Sequence, residues 1–153
     1  MILNKLWMFL HLIGLALWMG GMFFMLYCLR PSLHEQMEGL PRARLMLSVQ
    51  GRFFRFVFLA IALLWISGIA MMGNAIANGL SPLPLGWHVM AALAGFMTLV
   101  FLFIRFVLFP RAHKALLAQD GPALARLMED TRASVLVNLG IGVVVMAATL
   151  FGR

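Results

Sequence analysis

The stretch LWMFLHLIGLALWMGGMFFMLYCL, residues 6–29, runs for 24 residues without a charged side chain. At 1.5 Å of rise per residue a helix of this length covers about 36 Å, enough to cross the ~30 Å hydrocarbon core of a bilayer. Its apolar core is longer than the corresponding region of a signal peptide, and no small-x-small cleavage pattern follows it. It therefore reads as a retained transmembrane helix.

Three further runs have the same character: residues 56–72, 87–109 and 133–151. Apart from His88 at the start of the second of these, only Arg105 and Asn138 interrupt them with a large polar group. The chain is 63% hydrophobic and only 11% charged, against about 25% charged residues in a soluble domain. That is too little charge to cover a water-exposed surface. The fold expected is all-α: an integral membrane antiparallel four-helix bundle forming one transmembrane domain over residues 1–153. Its helices are expected at about 4–30, 42–73, 87–110 and 122–151, joined by short connections.

The net charge of +7 has a topological reading. Arg30, Arg42, Arg44, Arg52 and Arg55 fall between the first two runs. Arg111, Lys114, Arg126 and Arg132 fall between the last two. The connection over residues 73–86 has no charge, and Lys5 and Arg153 are the only basic side chains on its side. The positive-inside rule places both charged connections in the cytoplasm. Both termini then face outward, to the periplasmic side of a bacterial inner membrane. This distribution explains the basic balance without nucleic acid. With Cys28 as the single cysteine, no intrachain disulfide is possible.

Local signals refine the picture. Pro41 and Pro122 stand where a first helical turn tolerates proline, and Asp120-Gly121-Pro122 reads as a turn. Leu124, Leu127 and Met128 make an apolar stripe leading into helix four, so helices two and four extend into the cytoplasm. Pro110 is expected to end helix three. Residues 81–86 form a stiff outward turn, with Trp7 and Trp87 at the interface.

His11 and His88 carry the chemistry. An ionisable side chain in lipid is costly, which makes each a functional-site hypothesis. The charge-derived topology puts both at similar depth near the outer face. Met8, His11, Gly14, Trp18, Gly21 or Met22, and Met25 share one stripe of helix one. His88, Ala91, Ala92, Gly95 and Thr98 do so on helix three. One reading is a haem b held between facing helices, with His11 and His88 as axial ligands and Gly14 and Gly95 admitting the ring. A second is copper, bound by His11, His88 and the outer methionines Met8, Met71, Met72 and Met90, since thioethers suit Cu(I). In a third, the small residues only allow close helix packing, and the methionines Met19, Met22 and Met25 only line a helix. His34 and His113 fall in the charged connections and read as solvated. Gly20-Gly21 and Gly140/Gly142 read as packing sites, and Asn138 as a bond to a neighbouring helix. No catalytic triad, HExxH, CxxC or phosphate-loop pattern occurs in the sequence.

The segment from His11 to Met22, HLIGLALWMGGM, resembles the first helix of the CopD (copper-resistance protein D) family: a His, a Trp seven residues on, then a Gly pair. Arg52-Phe53-Phe54-Arg55-Phe56, Ser67-Gly68, Trp87-His88 and Asn138-Leu139-Gly140 extend the resemblance over nearly the whole chain. The first helix is also similar to that of HemJ-type protoporphyrinogen oxidases, which implies a haem ligand at His11. Both families commonly carry a Lys early in helix three. This chain has none between Lys5 and Lys114 and reads His88-Val89-Met90 there. The resemblance implies a haem-b-binding inner-membrane protein with an electron-transfer role, working with a redox partner or quinone. The alternatives are a copper-handling membrane protein and a structural subunit of a membrane complex, with a homo-oligomer compatible with each. An enzymatic activity is not specified.

Overall fold

In the computed structural model, which describes residues 2–151 and side chains as far as Thr149, the chain forms four long helical rods. They are α1 (Ile2–Gln36), α2 (Gly39–Ala77), α3 (Leu85–Leu117) and α4 (Gly121–Phe151). Each is long and apolar enough to cross a membrane. The connections are Met37–Glu38, residues 78–84, and residues 118–120. Linkers this short make consecutive helices antiparallel neighbours. Arg153, assigned above to the outer side, lies outside the described residues.

Lipid-facing and interior positions are assigned as in a membrane bundle. Phe9, Phe23, Ile66, Leu99, Phe106 and Val144 are exposed apolar side chains. Trp18, Met22, Phe54, Val57, Met97 and Phe101 form the buried core. The rods overshoot the bilayer. The 39 residues of α2 span about 58 Å, nearly twice the hydrocarbon thickness. The surplus lies at the end carrying the charged connections, called here the basic end; the opposite end, called the terminal end, holds Ile2 and Phe151, the first and last described residues. At the basic end Ala43, Leu47, Ala112, Leu116 and Leu124 build a second apolar core. The stripe that starts α4 is part of it.

Pro110 does not end helix three, contrary to the expectation from sequence. A π-helical turn at Ile104–Leu108 precedes it, and the helix continues to Leu117. Helix one contains the same device: a π turn at Met25–Leu29, then Pro31. A proline lacks an N–H and crowds the carbonyl four residues back. Those carbonyls belong to Tyr27 and Phe106, inside the two π turns. The backbone N–H groups of Arg30 and Phe109 bond to Met25 and Ile104, five residues back. The wider turn absorbs the proline without breaking the rod.

Helix α4 starts as its turn signal predicts. Asp120 Oδ1 accepts the backbone N–H of Ala123 at 3.0 Å, an N-cap bond. Arg105, inside the α3 π turn, lies over the rings of Phe54, Phe106 and Phe109, with 5.4–5.7 Å to the centroids. Those faces stabilise the guanidinium among apolar side chains.

Candidate functional site

Helix α1 packs chiefly on α2, and α3 chiefly on α4. The α1–α2 seam closes by small residues and short polar bonds. At its outermost point Asn74 donates to Asn4 Oδ1 at 2.8 Å. Two turns further in, His11 meets Ser67 with 2.9 Å between Nδ1 and Oγ. A Cβ on Gly14 would lie 2.9 Å from the Ala60 carbonyl oxygen, and one on Gly21 would strike the Phe53 ring. The two backbones approach because the sequence leaves nothing between them.

The Ser67 contact fixes the state of the imidazole. Ser67 is fully buried, and its hydroxyl donates to the Leu63 carbonyl one turn back. With that single proton committed, His11 Nδ1–H must be the donor to Ser67 Oγ. Nε2 then carries the lone pair. A histidine whose far nitrogen donates to a fixed acceptor, leaving the other as a base, is arranged as metal-ligating histidines are. Met8 lies one turn from His11 on α1, and Met71 one turn from Ser67 on α2, both toward the terminal end.

The other half of the predicted pair is placed differently. His88 is exposed at the start of α3, while His11 is turned to Ser67 and Gly68 of α2. Of the two glycines assigned to the ring, Gly14 faces no free slot. Gly14 is pressed against Ala60, Leu63 and Leu64. The Trp65 ring comes within 4.0 Å of a Cβ on Gly95, and its indole N–H donates to Thr98 Oγ1 at 3.3 Å. This arrangement does not fit a macrocycle between α1 and α3. Among the described residues no group of three or more His, Cys, Asp or Glu is placed to hold a metal, so a metal here would rely on sulfur and single imidazole donors.

A second feature was not singled out in the sequence. In the half of the bundle toward the basic end, all four helices border a cavity of about 60 Å³. Four of the thirteen methionines line it: Met22, Met25, Met46 and Met128. Gln50 and Asn138 also contribute to the lining, and both are buried. Asn138 Nδ2 donates to the Met97 carbonyl at 3.2 Å, as the sequence predicts, but its buried Oδ1 has no partner among the described residues. Both π turns border the cavity, through Met25 and Ile104.

Beyond the cavity lies a cleft of about 220 Å³ that shares Arg30, Met46 and Met128 with it and adds His34, Arg42 and Glu129. Arg30 and Arg132 both bond to Glu129, the former at 2.8 Å. His34 is exposed and accepts from Arg42 at 3.0 Å through Nδ1, so it is not wholly solvated as expected. His113 is exposed beside the Phe109 ring. Of the paired glycines, Gly21 and Gly142 are close-packed, against Phe53 and Met19, whereas Gly20 and Gly140 face open space.

Four apolar rods with a buried polar seam define a multi-pass membrane helix bundle. Residues 47–151 match the family described as Copper resistance protein D (CopD), about two thirds of the chain. The chain belongs to the CopD family. The match takes in Ser67, Met71, His88 and Asn138 but begins beyond His11. No curated protein and no solved structure matches it significantly.

Proposed function

We propose that this chain handles copper as cargo within a bacterial inner membrane, holding or passing the ion, with the terminal end outside and the basic end in the cytoplasm. The observation that carries this reading is the His11–Ser67 bond, which directs the Nδ1–H to Ser67 and leaves the lone pair on Nε2 toward the terminal end. Imidazole suits copper in either oxidation state, and nearby thioethers suit Cu(I). The family's description names copper resistance, and the basic connections satisfy the positive-inside rule. Met8 and Met71 are the methionines best placed in register to join His11. Met72, Met90 and His88 lie toward the same end and are secondary candidates. Haem b is not carried forward, because Gly14, meant to admit the ring, is closed against α2 and His88, meant as the second ligand, is exposed.

The test compares cells producing the wild-type chain or His11→Ala at equal membrane levels, measuring total copper and growth under copper stress. The variant is expected to shift both away from wild type, toward cells lacking the chain. Indistinguishable copper content and tolerance would overturn the reading.

A further inference from the structure

We propose that the methionine-lined cavity is a second cation site, a thioether site for Cu(I) that opens toward the basic end through the His34–Glu129 cleft. It rests on the copper reading above but on different residues.

The chemistry begins with the lining. Thioether sulfur is a soft, neutral donor and selects Cu(I) over hard cations. Four methionines from three different helices line one space. On α1 they continue the stripe of His11, Gly14 and Trp18 by a further two turns, so the terminal-end imidazole and the cavity lie along one helix face.

Size excludes larger occupants. A water needs about 10–15 Å³ of such space, so about 60 Å³ admits a few waters or one dehydrated ion, not a haem or a quinone ring. Polarity favours a cation. An unpaired carbonyl oxygen buried away from water costs free energy, and Asn138 Oδ1 is one. A cation, directly or through one water, meets that need.

The arginines do not make this an anion site. Arg30 and Arg132 are among the lining residues, and both are engaged by Glu129. The rest of the lining is thioether, aromatic, aliphatic and amide, with Thr131 adding a hydroxyl. Met46 and Met128, shared between cavity and cleft, offer the step by which an ion passes between them. The two π turns contribute to this wall, a place where such turns are frequent.

The experiment titrates Cu(I) into the purified full chain in lipid nanodiscs, against a chromophoric Cu(I) chelator under anaerobic reduction. Three proteins are compared: wild type, His11→Ala, and the quadruple Met22→Leu/Met25→Leu/Met46→Leu/Met128→Leu. Leu for Met conserves volume and is well tolerated in cores. The wild type is expected to hold two Cu(I), and each variant one. X-ray absorption on Cu(I)-loaded His11→Ala is expected to show an all-sulfur shell apart from oxygen. If the quadruple variant fails to fold, Met46→Leu/Met128→Leu, at partly exposed positions, takes its place and is expected to weaken the second site. A single Cu(I) lost in His11→Ala and untouched by the methionine changes would overturn this inference alone, leaving only water in the cavity. No Cu(I) in any protein would overturn the copper reading itself.

Discussion

The two ends of the bundle solve opposite problems with the same alphabet of residues. At the terminal end the α1–α2 seam is closed so tightly that a Cβ on Gly14 would strike the Ala60 carbonyl, and one hydrogen bond fixes one imidazole. Toward the basic end the helices part around a cavity, the backbone widens into π turns, and flexible methionines line the gap. The seam gains order from small side chains. The cavity keeps adaptability from long ones, since methionine fills irregular space without a fixed shape. The difference teaches that in a membrane bundle side-chain size along a stripe, rather than polarity, decides where a ligand has room.

The comparison can be broken at several points. His11→Ala has the largest expected effect, complete loss of the terminal-end copper equivalent with the cavity equivalent kept; loss of both would mean the two regions are one site. Gly14→Ala comes next. Its Cβ would meet a backbone oxygen that cannot move without separating the helices, and overpacking of this kind costs roughly 1–3 kcal/mol. Thermal unfolding in detergent should show a clear drop, while Gly20→Ala, facing open space, should show none. Equal behaviour of the two would refute the tight seam. Ser67→Ala should weaken terminal-end copper binding by about 10–100-fold, as removal of a ligand's orienting partner does, with its backbone fold intact by circular dichroism.

Asn138→Leu sharpens the other side. It removes the Met97 bond and the unpaired Oδ1 together, and interhelical side-chain bonds in membranes average about 0.6 kcal/mol. The unfolding midpoint of metal-free protein should barely move, while Cu(I) should bind the cavity more weakly. The smallest effect is expected for Glu129→Gln at the exposed mouth. It breaks two surface ion pairs, which contribute little, so stability should not change measurably.

Much of this was legible from the chain. Run lengths and charge counts specify a four-helix membrane bundle, and Asp120 and Leu124 announce where α4 begins. The rotation of each helix about its axis was not legible. In rods apolar nearly all round, no hydrophobic face tells inside from outside, so His11 and His88 looked equivalent by depth. Only packing shows that one is pinned to α2 and the other exposed. Pro110 misled for a related reason: a local rule reads proline as a stop, and the π turn that accommodates it leaves no residue signature. The methionines of the cavity were visible, but thioethers serve packing and ligation alike. A clue did exist: Met22 and Met25 continue the stripe of His11 and Trp18, and Asn138 is the lone amide of its run.

The most direct test of the central claim is total metal analysis of the purified membrane protein together with its oxidised and dithionite-reduced absorption spectra. The account predicts bound copper and no Soret band. A sharp low-spin haem b spectrum without copper would contradict it.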